Sequence, residues 1–159
     1  DATFADLKAK YCIDTHKVFM AGFSSGAWLT YLIGCLRGDE LRGIGTMAGG
    51  FTDSAQGQCV GHVAAMIMAD TADPANPIVN PDPVTQIDEG PGIARDMFAA
   101  SNGCSTQSDP WDPEFPDCVI NQGCDPRYPV VWCKTMGKGH TDQIPMSTTG
   151  LWRFWSSLP

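Results

Sequence analysis

The chain has 159 residues, enough to bury a hydrophobic core as one domain without relying on cross-links. A hydrophobic fraction of 43% excludes intrinsic disorder as the main state, and no apolar run reaches the length of a bilayer-spanning helix. Eighteen acidic against ten basic residues give a formal net charge of -8, which repels polyphosphate, so neither nucleic acid nor a membrane is an expected partner. Seven cysteines, 17 glycines, 12 prolines and only 18% charged residues point to a secreted, disulfide-bearing, turn-rich protein. An odd cysteine count leaves at least one thiol unpaired within the chain. The chain opens at Asp1 with no methionine and no apolar leader, and reads as a mature or processed form.

Residues 4–11 have helical spacing, with Phe4, Leu7 and Tyr11 on one face. Residues 17–23 form a short apolar run ending in glycine and phenylalanine, the pattern of a buried strand. Residues 24–36 have helical length and composition. Two further buried strands are expected at 44–48, stopped by Gly49 and Gly50, and at 63–68. A helix at 92–100 closes on Asn102-Gly103. Residues 105–117, rich in Ser, Asp and Pro, read as a surface loop. A fourth strand spans 129–134, and a last helix spans 147–158 with Ser147 or Thr148 as its N-cap. Strands alternating with helices predict an α/β fold: a mainly parallel sheet covered on both faces, with its site beyond the carboxyl ends of the strands. No domain boundary is visible, so residues 1–159 are taken as a single catalytic domain.

Gly22-Phe23-Ser24-Ser25-Gly26 matches G-x-S-x-G between an expected strand and an expected helix. In that setting a sharp turn lifts the central serine above the sheet, and the flanking glycines leave room for it. The helix points its positive end at the site. Ser24 is therefore the candidate nucleophile. Ser25, off-centre between the glycines, is the rival nucleophile and is assigned instead as an oxyanion donor through its backbone N–H. The same turn without catalysis is the bland alternative.

A serine nucleophile needs a base, and the base needs an orienting acid, in the chain order Ser, Asp or Glu, His. His16 and His62 each precede a strand and fall at the wrong end of the sheet, where they read as solvated imidazoles. His140 follows the fourth strand in Met136-Gly137-Lys138-Gly139-His140, on the side of Ser24, and is the candidate base. The acid follows the third strand, where Asp70 and Asp73 compete. Asp73 lies further past the strand end, in a turn fixed by Pro74 and Pro77, and is preferred; Asp70 would cap or brace the turn. Either could be an ordinary Asx-turn residue. The cysteines lack paired C-x-x-C spacing and the histidines are scattered, so neither a metal nor a cofactor is implied.

Rise arithmetic brings Cys35, at the foot of the helix that follows Ser24, back toward Cys12, and predicts a Cys12–Cys35 bond. Similar reasoning pairs Cys104 with Cys124, with Cys118 as the rival partner for either. Cys59 and Cys133 have no assignable partner and read as small buried hydrophobes. Trp152 and Trp155 read as core on the last helix. Trp111 is either a loop anchor or part of a polymer-binding rim.

These stretches resemble the secreted α/β-hydrolase esterases that include polyhydroxybutyrate depolymerases, feruloyl esterases and acetylxylan esterases. The resemblance runs through Tyr11-Cys12-Ile13-Asp14, Lys17-Val18-Phe19, the Gly22 to Ala27 elbow, Thr71-Ala72-Asp73-Pro74, Asn102-Gly103-Cys104, Gly123-Cys124 and the Gly-Lys-Gly-His140 stretch, in the right order. Ala69-Asp70 stand where the family carries His-Gly, and Thr141-Asp142-Gln143 where it carries Trp-Pro-Gly. The resemblance implies a carboxylic ester hydrolase with a Ser24–His140–Asp73 triad. It also implies an ester substrate, polymeric in this family: a polyester or, better suited to the disulfide-rich pattern, feruloyl or acetyl esters of plant polysaccharide. A non-catalytic binding protein and a serine peptidase of the same fold are the alternatives. In the family several strands precede the nucleophile. The chain is therefore expected to be the C-terminal part of a larger domain, with one sheet edge bare, no complete oxyanion hole, and a further N-terminal segment of the same protein as a partner.

Overall fold

The structure, a computed structural model, describes residues 2–52, 59–79 and 89–159. The apolar runs of the sequence become strands of a six-stranded sheet. In chain order the elements are α1 (Ala2–Lys10), β1 (Phe19–Phe23), α2 (Ser25–Leu36), β2 (Gly43–Met47), β3 (Phe51–Thr52), β4 (Ala64–Asp70), β5 (Glu89–Gly90), α3 (Pro91–Ser101), β6 (Ser108–Asp112), β7 (Phe115–Asn121), β8 (Val130–Thr135) and α4 (Leu151–Ser157). The large sheet has the order β1-β2-β4-β8-β7-β6, and β3 pairs with β5 as a separate two-stranded ribbon. Strands β1, β2, β4 and β8 are parallel; β7 and β6 add to them antiparallel.

Every residue of β4 is buried, as expected of a central strand covered on both faces whose residues are apolar up to the terminal Asp70. Successive side chains leave the pleat on opposite sides. Ala65, Ile67 and Ala69 join Tyr31, Ile44, Phe98 and Val130 in the core under α2 and α3. Ala64, Met66 and Met68 join Val131, Phe115, Leu151 and Phe154 in the core under α4.

The structure corrects several expectations. Residues 105–117 are not a surface loop. They supply β6 and the start of β7, an antiparallel hairpin added at one edge of the mainly parallel sheet, which is therefore mixed. Its prolines hid it: Pro110 sits on an edge strand, where a missing N–H costs little, and most of β6 is exposed, so no apolar run marks it. The sheet thus has six strands, not four, and β1 keeps a single strand partner among the described residues. Ser147 and Thr148 do not cap the last helix. They lie in a π-helical turn, Met146–Gly150, and Gly150 stands at the N-cap of α4. Trp152 is 70% exposed rather than core. Trp155 is half-buried and stacks on Phe19, with ring centroids 4.9 Å apart. No residue of α1 is buried.

The cysteine pairing is Cys35–Cys59, Cys104–Cys124 and Cys118–Cys133, with Cys12 free and exposed. The Cys104–Cys124 expectation agrees with this. The Cys12–Cys35 expectation does not, because Cys35 turns toward the segment that leads into β4. Cys118, the rival partner for Cys104 or Cys124, pairs with neither. It lies directly opposite Cys133 in the β7–β8 ladder, so a register that folding sets anyway brings the two sulfurs together. Trp111 stands on β6 rather than in a loop: its half-buried ring lies 5.6 Å from Phe115 and 6.3 Å from Phe154 and packs against the core under α4.

Candidate active site

Ser24 follows the last residue of β1 and precedes the first of α2. Its backbone sits at φ 55, ψ -121, a conformation that costs a non-glycine residue free energy and must be held by its surroundings. The Ser24 N–H donates to the Met47 carbonyl at 2.9 Å, and its own carbonyl accepts from Ala27 and Trp28. Space at the turn is made by Gly22, whose hypothetical Cβ would fall 2.1 Å from the Gly26 carbonyl oxygen. A Cβ on Gly26 meets nothing within 4 Å, so the two motif glycines are not equivalent. Ser25 is the first residue of α2, so its N–H belongs to the unsatisfied donors at the positive end of the helix.

His140 lies past the carboxyl end of β8, in a loop that turns through positive φ at Gly137 and Gly139. Its Nε2 is 2.9 Å from Ser24 Oγ, and its Nδ1 is 2.9 Å from Asp73 Oδ2. The partners assign the tautomer: Nδ1–H donates to the carboxylate, leaving Nε2 to accept from the serine hydroxyl. The imidazole is 29% exposed and the Asp73 carboxylate 1%. Asp73 Oδ1 accepts the N–H groups of Ala75 and Asn76 at 2.8 and 3.0 Å, so both of its oxygens are engaged. Strands β1, β4 and β8 all point their carboxyl ends at this spot, which is why residues so far apart in sequence meet there.

The other candidates stay apart from it. Asp70 makes an Asx turn with the Ala72 N–H, as expected of a bracing residue, and lies under the site rather than against the imidazole. His16 and His62 are exposed and line a cleft of about 790 Å³ that also takes in Phe19, Arg42 and Trp155, all before or at the opposite ends of the strands. Two residues went unread in the sequence. Asn76 accepts the Trp28 indole N–H on Oδ1 at 2.8 Å and holds its Nδ2 3.5 Å from His140 Nδ1, so it ties α2 to the Asp73 turn. Its place in a Pro-Ala-Asn-Pro turn disguised it as ordinary turn chemistry. Phe23, 39% exposed, sets its ring 5.0 Å from the imidazole.

The strand order and the site together define an α/β protein with a Ser–His–Asp constellation at the carboxyl edge of its parallel strands. No family model matches the chain. It is similar to a protein of Aspergillus flavus called probable feruloyl esterase C, with 31% identity over 106 residues, 65% of this chain and 34% of that protein. It is also similar to feruloyl esterase D of Neurospora crassa, with 27% identity over 157 residues, 91% of this chain and 49% of that protein. A third relative is a poly(3-hydroxybutyrate) depolymerase of Ralstonia pickettii, 38% identical over 64 residues, 40% of this chain and 13% of that protein. The chain thus spans between about a third and a half of the feruloyl esterases it matches. Among solved structures, an acetyl xylan esterase from Aspergillus awamori superposes with a TM-score of 0.61 at 14% identity, covering 98% of this chain and 66% of that one, a likeness of fold. Three disulfides fit an extracellular protein. No helix among the described residues is long and apolar enough to cross a membrane.

Proposed function

We propose that this chain is a carboxylic ester hydrolase of α/β-hydrolase fold that works through an acyl-enzyme on Ser24. The observation that carries the reading is the unbroken relay from Ser24 Oγ through both nitrogens of His140 to Asp73, with 2.9 Å at each step. In the first half-reaction Ser24 Oγ attacks the ester carbonyl while His140 Nε2 takes its proton. The tetrahedral oxyanion is met by the Ser25 N–H. His140 then returns the proton to the departing alcohol, leaving an ester on Ser24. Water, deprotonated by the same nitrogen, releases the acid and restores the hydroxyl. Asp73 holds the imidazole in the useful tautomer and stabilises the imidazolium.

The relatives' names and the disulfide content support a secreted enzyme acting on feruloyl or acetyl esters of plant polysaccharide, with a 3-hydroxybutyrate polyester as the other substrate of the same chemistry. A fluorophosphonate probe tests the mechanism: a single adduct mapped to Ser24 and lost in Ser24→Ala is expected, and a folded but unlabelled chain would remove the reading. Methyl ferulate, acetylated xylan and hydroxybutyrate oligomers, compared with a peptide amide, then rank the substrates. Faster turnover of the amide than of any ester would make the protein a peptidase instead.

A further inference from the structure

Behind the Asp73–His140 pair lies a second carboxylate that the proposed reaction does not use. Asp70 is the last residue of β4 and is 0% exposed. Thr135, its neighbour in the ladder, is the last residue of β8, so beyond this pair the strands end and the two loops begin. One loop carries Asp73 and the other carries His140.

The Asp70 carboxylate is held by four donors, none of them a cationic side chain among the described residues. Its Oδ1 accepts the N–H groups of Ala72 at 2.8 Å and Gly139 at 3.0 Å. Its Oδ2 accepts the Thr135 hydroxyl at 2.6 Å and the Lys138 N–H at 3.0 Å. The two successive N–H groups of the base loop, flanked by glycines at φ 75 and φ 70, form a small anion-binding concavity, and Asp70 fills it. Burial alone would raise the acid's pKa. The Thr135 hydroxyl and the N–H groups of Ala72, Gly139 and Lys138 outweigh it and hold the group at about 2. The carboxylate is thus ionised at neutral pH, and it clamps the peptide immediately before His140 to the turn that begins three residues before Asp73. A loop with glycines at 137 and 139 would otherwise be free to drift.

We propose that Asp70 is a positioning residue, setting the base loop against the acid loop so that His140 meets Asp73 and Ser24 at once. The role rests on the ester-hydrolase reading of that site. Asp70→Asn keeps the size but puts an NH₂ group against one set of donors, so the clamp opens. The expected result is a loss of about 100-fold in kcat with KM little changed, the scale of an ångström-sized misplacement of a catalytic group. Thr135→Val, which removes one donor, should lose about tenfold, and Thr135→Ser should recover most of that loss.

Proton NMR of the full chain reads the positioning without turnover. The downfield His140 Nδ1–H resonance, assigned by its absence in His140→Ala, should be present in the unsubstituted chain and broadened or lost in Asp70→Asn. An unchanged resonance and kcat within twofold in a folded Asp70→Asn protein would overturn the role. Should Asp70→Asn not fold, the Thr135 pair decides: equal kcat and equal resonances in Thr135→Val and Thr135→Ser would overturn it. Fluorophosphonate labelling of the unsubstituted chain separates the two ideas. No labelling there removes the ester-hydrolase reading, while the resonance still decides whether Asp70 sets the imidazole.

Discussion

His140 Nε2 lies 2.9 Å from Ser24 Oγ across 116 positions of sequence, and that contact exists only because β1 and β8 run parallel within one sheet. It makes the first prediction direct. Ser24→Ala and His140→Ala should each lower kcat on a short acyl ester by about 10⁴-fold or more, and Asp73→Asn by about 10³–10⁴-fold through the wrong tautomer. The double variant Ser24→Ala/His140→Ala should lose no more than either alone, because the groups act as a unit. Additive losses in steady-state kinetics would mean the two residues do not share a step.

Gly22→Ala and Gly26→Ala separate the structural demands of the elbow. At Gly22 a methyl would meet the Gly26 carbonyl at 2.1 Å and Thr30 Oγ1 at 2.7 Å, both on the backbone or a buried side chain. That variant should lose ~3 kcal/mol or more, or fail to fold, as overpacked sites do. Gly26→Ala should fold with a melting temperature within a few degrees of the unsubstituted chain. Equal melting temperatures for the two variants would show that the turn is not held as described.

Much of this site was legible because its chemistry follows strand order. Each of Ser24, Asp73 and His140 sits after an apolar run; the runs at β2, β4 and β8 are buried strands whose composition announces them, whereas the expected buried strand at β1 has no buried residue although its composition is as apolar. The rest depended on contacts that no local pattern carries. The β6–β7 hairpin is built from an edge strand with Pro110 and a partner with Pro116, so it reads as loop until β8 is there to receive it. The Cys12–Cys35 expectation used rise per residue, which fixes height along an axis but not the direction a side chain faces. Asp70 and Asp73 look alike in sequence. What separates them is that one reaches an imidazole and the other a pair of backbone N–H groups.

The disulfide pattern is open to direct measurement. Non-reducing peptide mapping should recover Cys35–Cys59, Cys104–Cys124 and Cys118–Cys133, with one titratable thiol per chain at Cys12. Cys118 and Cys133 are 15 residues apart, and closing a loop of that size stabilises a fold by about 3 kcal/mol. The double variant Cys118→Ala/Cys133→Ala should lose about that much in a denaturant titration. Recovery of a Cys12–Cys35 peptide would contradict the fold around the foot of α2.

Asn76 connects the Trp28 indole to the Asp73 turn, and its side-chain orientation is fixed by the N–H it accepts. Asn76→Ala leaves a half-buried indole donor unpaired, which costs ~1–3 kcal/mol. The backbone N–H of residue 76 still reaches Asp73 Oδ1 in that variant. Activity should therefore fall by no more than about tenfold while the midpoint of unfolding drops clearly. A loss of activity as large as that of Asp73→Asn, with stability unchanged, would give Asn76 a part in the chemistry.

Acid should remove the stability that the Asp70 carboxylate contributes. The group is held at about 2 in the folded chain, below the value near 4 of an exposed aspartate. The folded state therefore binds this proton less readily than the unfolded state. The stability that Asp70 contributes is complete above about pH 4 and is lost as the pH falls toward 2. The half-buried Asp125, held low by the Arg127 guanidinium and its N–H, titrates in the same range but is common to both proteins and cancels in a difference. The gap in melting temperature between the unsubstituted chain and Asp70→Asn should be constant from pH 7 to 5 and narrow steadily between pH 4 and 2. A gap that does not change over that range would mean the carboxylate and the amide are equally well accommodated beneath the base loop.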